Sequence, residues 1–343
     1  MPRPRPEPGG AERGEPGAFA PAPPPRWRGP ALFIAGVLLL AAAVWAVTTR
    51  GPDLARAWSA ARAAPVWLVV LVLALPLANW ALTTALFWRL TRRFAPVGAG
   101  EMTALIGSAW LLNYLPLRPG MLGRMAYHKH VHGIRYRDSL DVMLWSVGAT
   151  AAGAALVLGA ILACSGRAPW VSVGAGVIAG ILLGIALVWR GAAHAWIALT
   201  LRTLDVLVWC VRYWAAFALL GRGISPLEAG ILAAASQGAM VVPVQLGVRE
   251  WLVGSAYAAL PALGALAGPD LPGPARAPAP PPPAAESAGA ALAAMTPGLL
   301  AELVNRAAEL LIALPAGLVS TAWLARARAR VPTRAPASRQ SGR

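Results

Sequence analysis

Charge is what this sequence has least of. Of its 343 residues only 13% are Asp, Glu, Lys or Arg, where soluble domains average about 25%. Acidic residues are the scarcer sign, 14 against 30 Lys and Arg. Cysteine is scarcer again: Cys164 and Cys210 are the only two. Both fall in or near apolar runs, where a thiol behaves as a small apolar residue, so no disulfide framework is implied. Catalytic signatures are missing too. There is no Gly-rich nucleotide loop, no metal-ligand set, and no Ser/His/acid arrangement that falls into one site. Nothing in the chain calls for a cofactor.

What the chain has instead is hydrophobic length. A spanning helix needs about 20 mainly apolar residues. Uncharged runs cover Ala31–Thr49, Val66–Trp88, Val142–Gly166, Ala168–Trp189, Ala229–Val248 and Trp251–Pro269. Two further runs, Ala195–Gly221 and Pro297–Leu324, carry a few charges. The expectation is an all-α polytopic helix bundle of about eight spans. Met102–Leu117 is uncharged but short and ends beside Pro116. It fits a re-entrant helix, which is tolerated at membrane depth where protein or a wet cavity satisfies its backbone.

The flanks are of a different kind. Residues 1–30 are rich in Pro, Arg and Gly and poor in large apolar side chains, a composition that stays disordered. The apolar run after them is too long for a signal-peptide core and more spans follow, so it reads as a signal anchor. The bundle extends over 31–267. Residues 268–296 form a Pro-rich linker, extended rather than helical. The last span covers 297–324, and 325–343 form a second disordered basic tail.

Arginine placement sets the orientation. With eight spans and the N-terminus inside, 21 of the 30 Lys and Arg are cytoplasmic, 6 are outside and 3 lie within spans. Cytoplasmic loops carry the excess of positive charge, so both termini are expected in the cytoplasm of a cell-membrane protein. Arg50, Arg56 and Arg62 run against this count.

Charges inside spans cost about 2.5–3.5 kcal/mol each and face a bundle interior or a wet cavity. Arg202, Asp205 and Arg212 fall within about 80° of one another on their helix, and Glu302, Arg306 and Glu309 within about 60° on theirs. The first stripe is net positive and the second net negative. They either neutralise each other as structural pairs or line a polar path for a charged headgroup.

One stretch is basic without relief. From Arg118 to Arg137 there are four Arg, one Lys and three His, and no Asp or Glu. His128, His130 and His132 sit two apart, a spacing that scatters them around a helix, and a metal site would need further ligands. No nucleic-acid recognition motif accompanies the basic residues. A loop drawn to anionic lipid explains them, each Lys or Arg contributing about 1 kcal/mol of attraction. Arg118 and Arg124 bracket Pro119-Gly120, read here as a tight turn with exposed amide donors. Arginine's planar fork suits phosphate oxygens, so the pair suggests a phospholipid-headgroup site. Pro116 and Gly120 are echoed by Pro243 and Gly247, each pair closing an uncharged segment and followed by Arg124 or Arg249. Paired Pro/Gly interruptions can mark a transporter's binding site.

Together these segments resemble the flippase-like transmembrane region of the lysylphosphatidylglycerol synthase family. That family carries Pro-x-Arg-x-Gly-Glu-x-x-Arg, matched by Pro116-Leu117-Arg118-Pro119-Gly120-Met121-Leu122-Gly123-Arg124. It carries Pro-Gly-Gly-Leu-Gly-x-x-Glu, matched by Pro243-Val244-Gln245-Leu246-Gly247-Val248-Arg249-Glu250. Its final helix has Leu-x-x-Arg, matched by Leu303-Val304-Asn305-Arg306. Met121 stands where the family has Glu, and Val244-Gln245 where it has Gly-Gly. The resemblance spans roughly 30–325 and implies a divergent member. It implies binding and translocation of membrane lipids, either an anionic phospholipid or a polyprenyl-phosphate-linked lipid. Arg118, Gly120, Arg124, Arg202, Asp205, Arg212, Pro243, Gly247, Arg249, Glu250, Glu302, Arg306 and Glu309 would bind or line the path. About 20 residues follow the last span, so the aminoacyltransferase domain of the synthases is not expected. A lipid-modifying enzyme using Glu250 or Glu309 as general base, and a scaffold acting through its tails, are the other readings.

Overall fold

The computed structural model describes residues 28–49, 51–115, 119–164, 192–239, 247–266 and 284–329. The Ala168–Trp189 run, the two tails beyond these bounds, most of the Pro-rich segment, Arg118 and Pro243 lie outside them. The described residues form ten helices and no strand. These are α1 (Arg28–Thr48), α2 (Gly51–Ala63), α3 (Val66–Thr91), α4 (Ala99–Leu112), α5 (Pro119–His132), α6 (Tyr136–Cys164), α7 (Ala192–Leu219), α8 (Pro226–Ala239), α9 (Val248–Leu266) and α10 (Ala284–Ala329).

Local signals set several boundaries. Pro65, at φ −65° and ψ 142°, cannot continue a helix backwards and sits at the N-cap of α3. Gly98 is extended at the N-cap of α4, with Glu101 in the first turn where the helix dipole favours an anion. Gly133, at φ 69°, ends α5 in the left-handed conformation that glycine adopts without strain.

Four helices are long and apolar enough to cross a bilayer: α3, α6, His194–Leu219 of α7 and Gly289–Ala327 of α10. Their surfaces invert the pattern of a soluble bundle. Trp67 and Val70 on α3, Leu144 on α6, and Leu311, Leu318 and Val319 on α10 are all more than half exposed. Glu250 and Glu302 are completely buried, and Arg212 and Arg249 are 2% exposed. Apolar side chains outside and charges inside suit a hydrocarbon solvent. The chain is an all-α membrane protein.

α3 and α6 pack on α7, while α4 and α9 pack on α10, so α7 and α10 carry the interior. The larger core brings Trp209, Tyr213 and Phe217 of α7 against Leu232 of α8, Val253 of α9 and Leu299 of α10. Small residues allow the closest approaches. A Cβ on Gly153 of α6 would meet the α7 backbone at Thr203 and Arg202, 3.0–3.2 Å away, the close backbone contact that membrane helices use.

Two segments depart from the sequence reading. Pro119-Gly120 is the first turn of α5, not an isolated turn, with proline at a position that leaves no backbone donor wasted. Residues 284–296 are helix, not linker, because α10 begins before Pro297 and continues past Leu324 to Ala329. Of the Ala229–Val248 run, α8 covers the part up to Ala239 and Val248 opens α9, while 240–246 lie outside the described residues.

Candidate functional site

The two charged stripes face one another. α7 presents Arg202, Asp205 and Arg212, α10 presents Glu302, Arg306 and Glu309, and the first turn of α9 inserts Arg249 and Glu250 between them. Gly247, at φ 81°, opens the backbone into α9 just before this pair. All eight charged residues are at most 9% exposed. They comprise four cations and four anions.

Glu309 is the hub. Its Oε1 accepts from Arg212 Nη2 at 2.6 Å and from Arg249 Nη2 at 3.2 Å. Its Oε2 accepts from Arg249 Nη1 at 3.1 Å and from the Tyr114 hydroxyl at 3.3 Å. Arg306 Nη1 approaches the same oxygen at 3.9 Å. Arg249 also pairs with Glu302, whose second oxygen accepts from the Tyr213 hydroxyl. Arg306 Nε donates to Glu250 Oε1 at 2.9 Å.

A second group joins this one through Asn79 of α3. Asn79 Oδ1 accepts from Arg212 at 3.1 Å, and its amide donates to Asp205 Oδ1 at 2.7 Å. Asp205 pairs with Arg202 at 3.0 Å, and Arg202 also donates to Ser146 of α6. Trp209 supports both sides, with the Arg212 guanidinium 3.9 Å and that of Arg249 4.6 Å from its ring centroid. An aromatic face stabilises a cation most when both are desolvated.

The bonding capacity is not exhausted. Glu250 Oε2, Asn305 Nδ2 and Arg212 Nε are buried and have no hydrogen-bond partner among the described residues. Each such atom forfeits hydration without return, and each can receive a polar ligand.

The basic stretch lies elsewhere. Its α5 packs on α4 and α6. Gly120 is buried against α4: a Cβ there would lie 2.7 Å from Ala109 Cα and 2.8 Å from its carbonyl carbon. Arg124 is also buried, at 9% exposure, with its guanidinium 3.7 Å over the Phe87 ring. Burial first, and then nearby Arg202, push Arg124 down to about 10, so it remains a cation at neutral pH. One turn on, Tyr127 and His132 both bond Glu101 Oε1 of α4, at 2.7 and 2.8 Å. Burial raises the Glu101 pKa, but these two bonds outweigh it and hold the carboxyl below its ordinary value. Among the described residues no group of three or more His, Cys, Asp or Glu is arranged to hold a metal ion.

The structure thus gathers Arg202, Asp205, Arg212, Arg249, Glu250, Glu302, Arg306 and Glu309 into one network; Arg124 lies at its edge, where it shares the Phe87 ring with Arg202. The sequence reading missed Asn79, Tyr114, Tyr213 and Trp209. Asn79 alone had a usable signal, as the one amide in the uncharged Val66–Trp88 run. Comparison with protein-family models, curated proteins and solved structures finds no match.

Proposed function

We propose that this protein binds and translocates a lipid with a phosphate-bearing headgroup, either an anionic phospholipid or a polyprenyl-linked lipid. In this reading it lies in the cell membrane with about eight spans, α4 re-entrant and both termini cytoplasmic. Arg118 and Arg124 engage the phosphate at the cytoplasmic face, and the α7–α9–α10 network lines the path.

One observation carries the reading: Glu309 is shared by three arginines from three helices. A carboxylate with several cations around it can exchange one partner for another at small cost. An incoming phosphate competes for the same guanidinium groups, and a cationic headgroup for the carboxylate. Such an exchange offers a passing headgroup replacements for the hydration it loses, which a static pair does not.

The test is transport. Purified protein in vesicles containing tail-labelled fluorescent phosphatidylglycerol is treated with an impermeant quencher. Wild type should carry label across the bilayer faster than protein-free vesicles, and Glu309→Gln should abolish the excess. Equal rates with and without protein overturn the reading for this lipid class.

A lipid-modifying reaction has one specific observation behind it, the unpartnered Oε2 of Glu250. Glu309, engaged by three arginines, is a poor general base. Conversion of a labelled lipid into a new species, lost in Glu250→Gln, would favour chemistry over transport.

A further inference from the structure

A small cavity opens between the C-terminal end of α3, the middle of α5 and the start of α6. It is narrow, with about 10 Å³ open to the centre of a water-sized sphere, and its lining includes Phe87, Arg124, Met125, His128, Ser139 and Val142. Two side chains on its wall carry polar atoms with nothing to bond. Both ring nitrogens of His128 and the Ser139 hydroxyl are buried without a partner among the described residues. His128 is 4% and Ser139 7% exposed. The Arg124 guanidinium faces Phe87, and no carboxylate pairs with it among the described residues.

A buried cation without an anion costs several kcal/mol of desolvation, and three unpartnered polar atoms add to that. An assembly of this kind is explained by what it would hold. The donors are a guanidinium fork and an imidazole N–H from α5 and a hydroxyl from α6. The rest of the lining includes the aromatic and aliphatic surfaces of Phe87, Phe94, Met125 and Val142. We infer that this pocket is a phosphate-oxyanion site, with Arg124 supplying the charge and His128 and Ser139 the orienting hydrogen bonds. A lipid headgroup and free phosphate share this chemistry. Where the bound phosphate is a lipid's, the inference rests on the lipid-binding reading and gives its cytoplasmic anion a seat.

The alternative for so basic a stretch is diffuse attraction to an anionic bilayer. Arg137 separates the two, because it is exposed in the same stretch and is not part of the pocket lining. Loss of one surface charge weakens diffuse binding regardless of position, whereas a pocket responds only to its own residues.

The experiment uses full-length protein in neutral nanodiscs, with inorganic phosphate and short-chain phosphatidic acid as titrants. Wild type should bind phosphatidic acid, and phosphate should compete with it. Arg124→Gln should weaken binding about tenfold or more, Ser139→Ala by a smaller factor, and Arg137→Gln should leave it unchanged. Ser139→Ala removes one oxygen and keeps the site readable if Arg124→Gln fails to fold. Phosphate binding without lipid binding supports the pocket and overturns its lipid role. Lipid binding that Arg124→Gln and Ser139→Ala leave intact overturns the pocket while the lipid reading stands. Equal losses in Arg124→Gln and Arg137→Gln, or no binding of either titrant, overturn the inference.

Discussion

Arg212 on α7 and Glu309 on α10 meet at 2.6 Å with their side chains 1% and 4% exposed. Nothing local holds this bond; it exists because two helices distant in sequence turn their polar stripes inward. Glu309→Ala leaves three guanidinium groups short of their shared anion. The expected loss is about 3–5 kcal/mol, the usual penalty for a buried charge stripped of its partner. Thermal unfolding in detergent measures it, and a melting temperature within a degree or two of wild type would contradict it.

Glu250 and Arg306 allow a sharper test. Arg306→Met takes from Glu250 its cation, and Glu250→Met takes from Arg306 its nearest carboxylate, so each single change should destabilise. The double change removes both charges and fills the space with apolar volume. Buried pairs replaced in this way are often neutral or better, so the double variant should recover most of the stability, with strong coupling in a double-mutant cycle. It should stay inactive in transport. A double variant that is stable and fully active would make this pair a purely structural device.

The two glycines of α5 should behave oppositely. Gly120→Ala drives a methyl group into the Ala109 backbone of α4, which has no flexible end to yield, and α5 should detach. Gly123 has nothing within 4 Å of its would-be Cβ and is exposed, so Gly123→Ala should stabilise by about 0.5–1 kcal/mol through helix propensity alone. Proteolysis at the α4–α5 junction reads the first, and thermal unfolding the second.

Acid should loosen the α5 end through His128. Burial, then Arg124 and His132, lower its pKa from 6.5 to about 4, against a smaller upward pull from Glu101. Between these values the unfolded chain binds more protons than the folded one, so stability falls as pH drops from about 6.5 towards 4. The other groups facing the ring, Thr91 and Ser139, do not titrate in this range. His128→Phe should remove this part of the pH dependence, measured as melting temperature against pH.

Some of this was legible in the sequence, and physics explains which part. Run length reveals long apolar helices, four of them able to cross a bilayer, because the bilayer imposes length on each segment separately. The polar stripes on α7 and α10 could be read as well, since helical periodicity puts Arg202, Asp205 and Arg212 on one side whatever the neighbours do. Pairing could not. Asp205 binds Arg202 as its spacing suggests, but Arg212 crosses to Glu309, and Arg249 and Glu250 enter from the junction between two uncharged runs. Those partners depend on how helices dock. Arg124 was singled out for phosphate, yet its burial over Phe87 and the orphaned His128 beside it emerge only once α3, α5 and α6 are assembled.

The balance of the α7–α9–α10 network has an electrical consequence. Moving one elementary charge through a 100 mV membrane potential takes about 2.3 kcal/mol. Four arginines and four carboxylates sum to zero, so if they reorganise as one body the field does no net work on them. Voltage then acts only on whatever charge a passenger brings. Turnover of a neutral or zwitterionic lipid would be blind to membrane potential, and an anion's sensitivity would report its own charge.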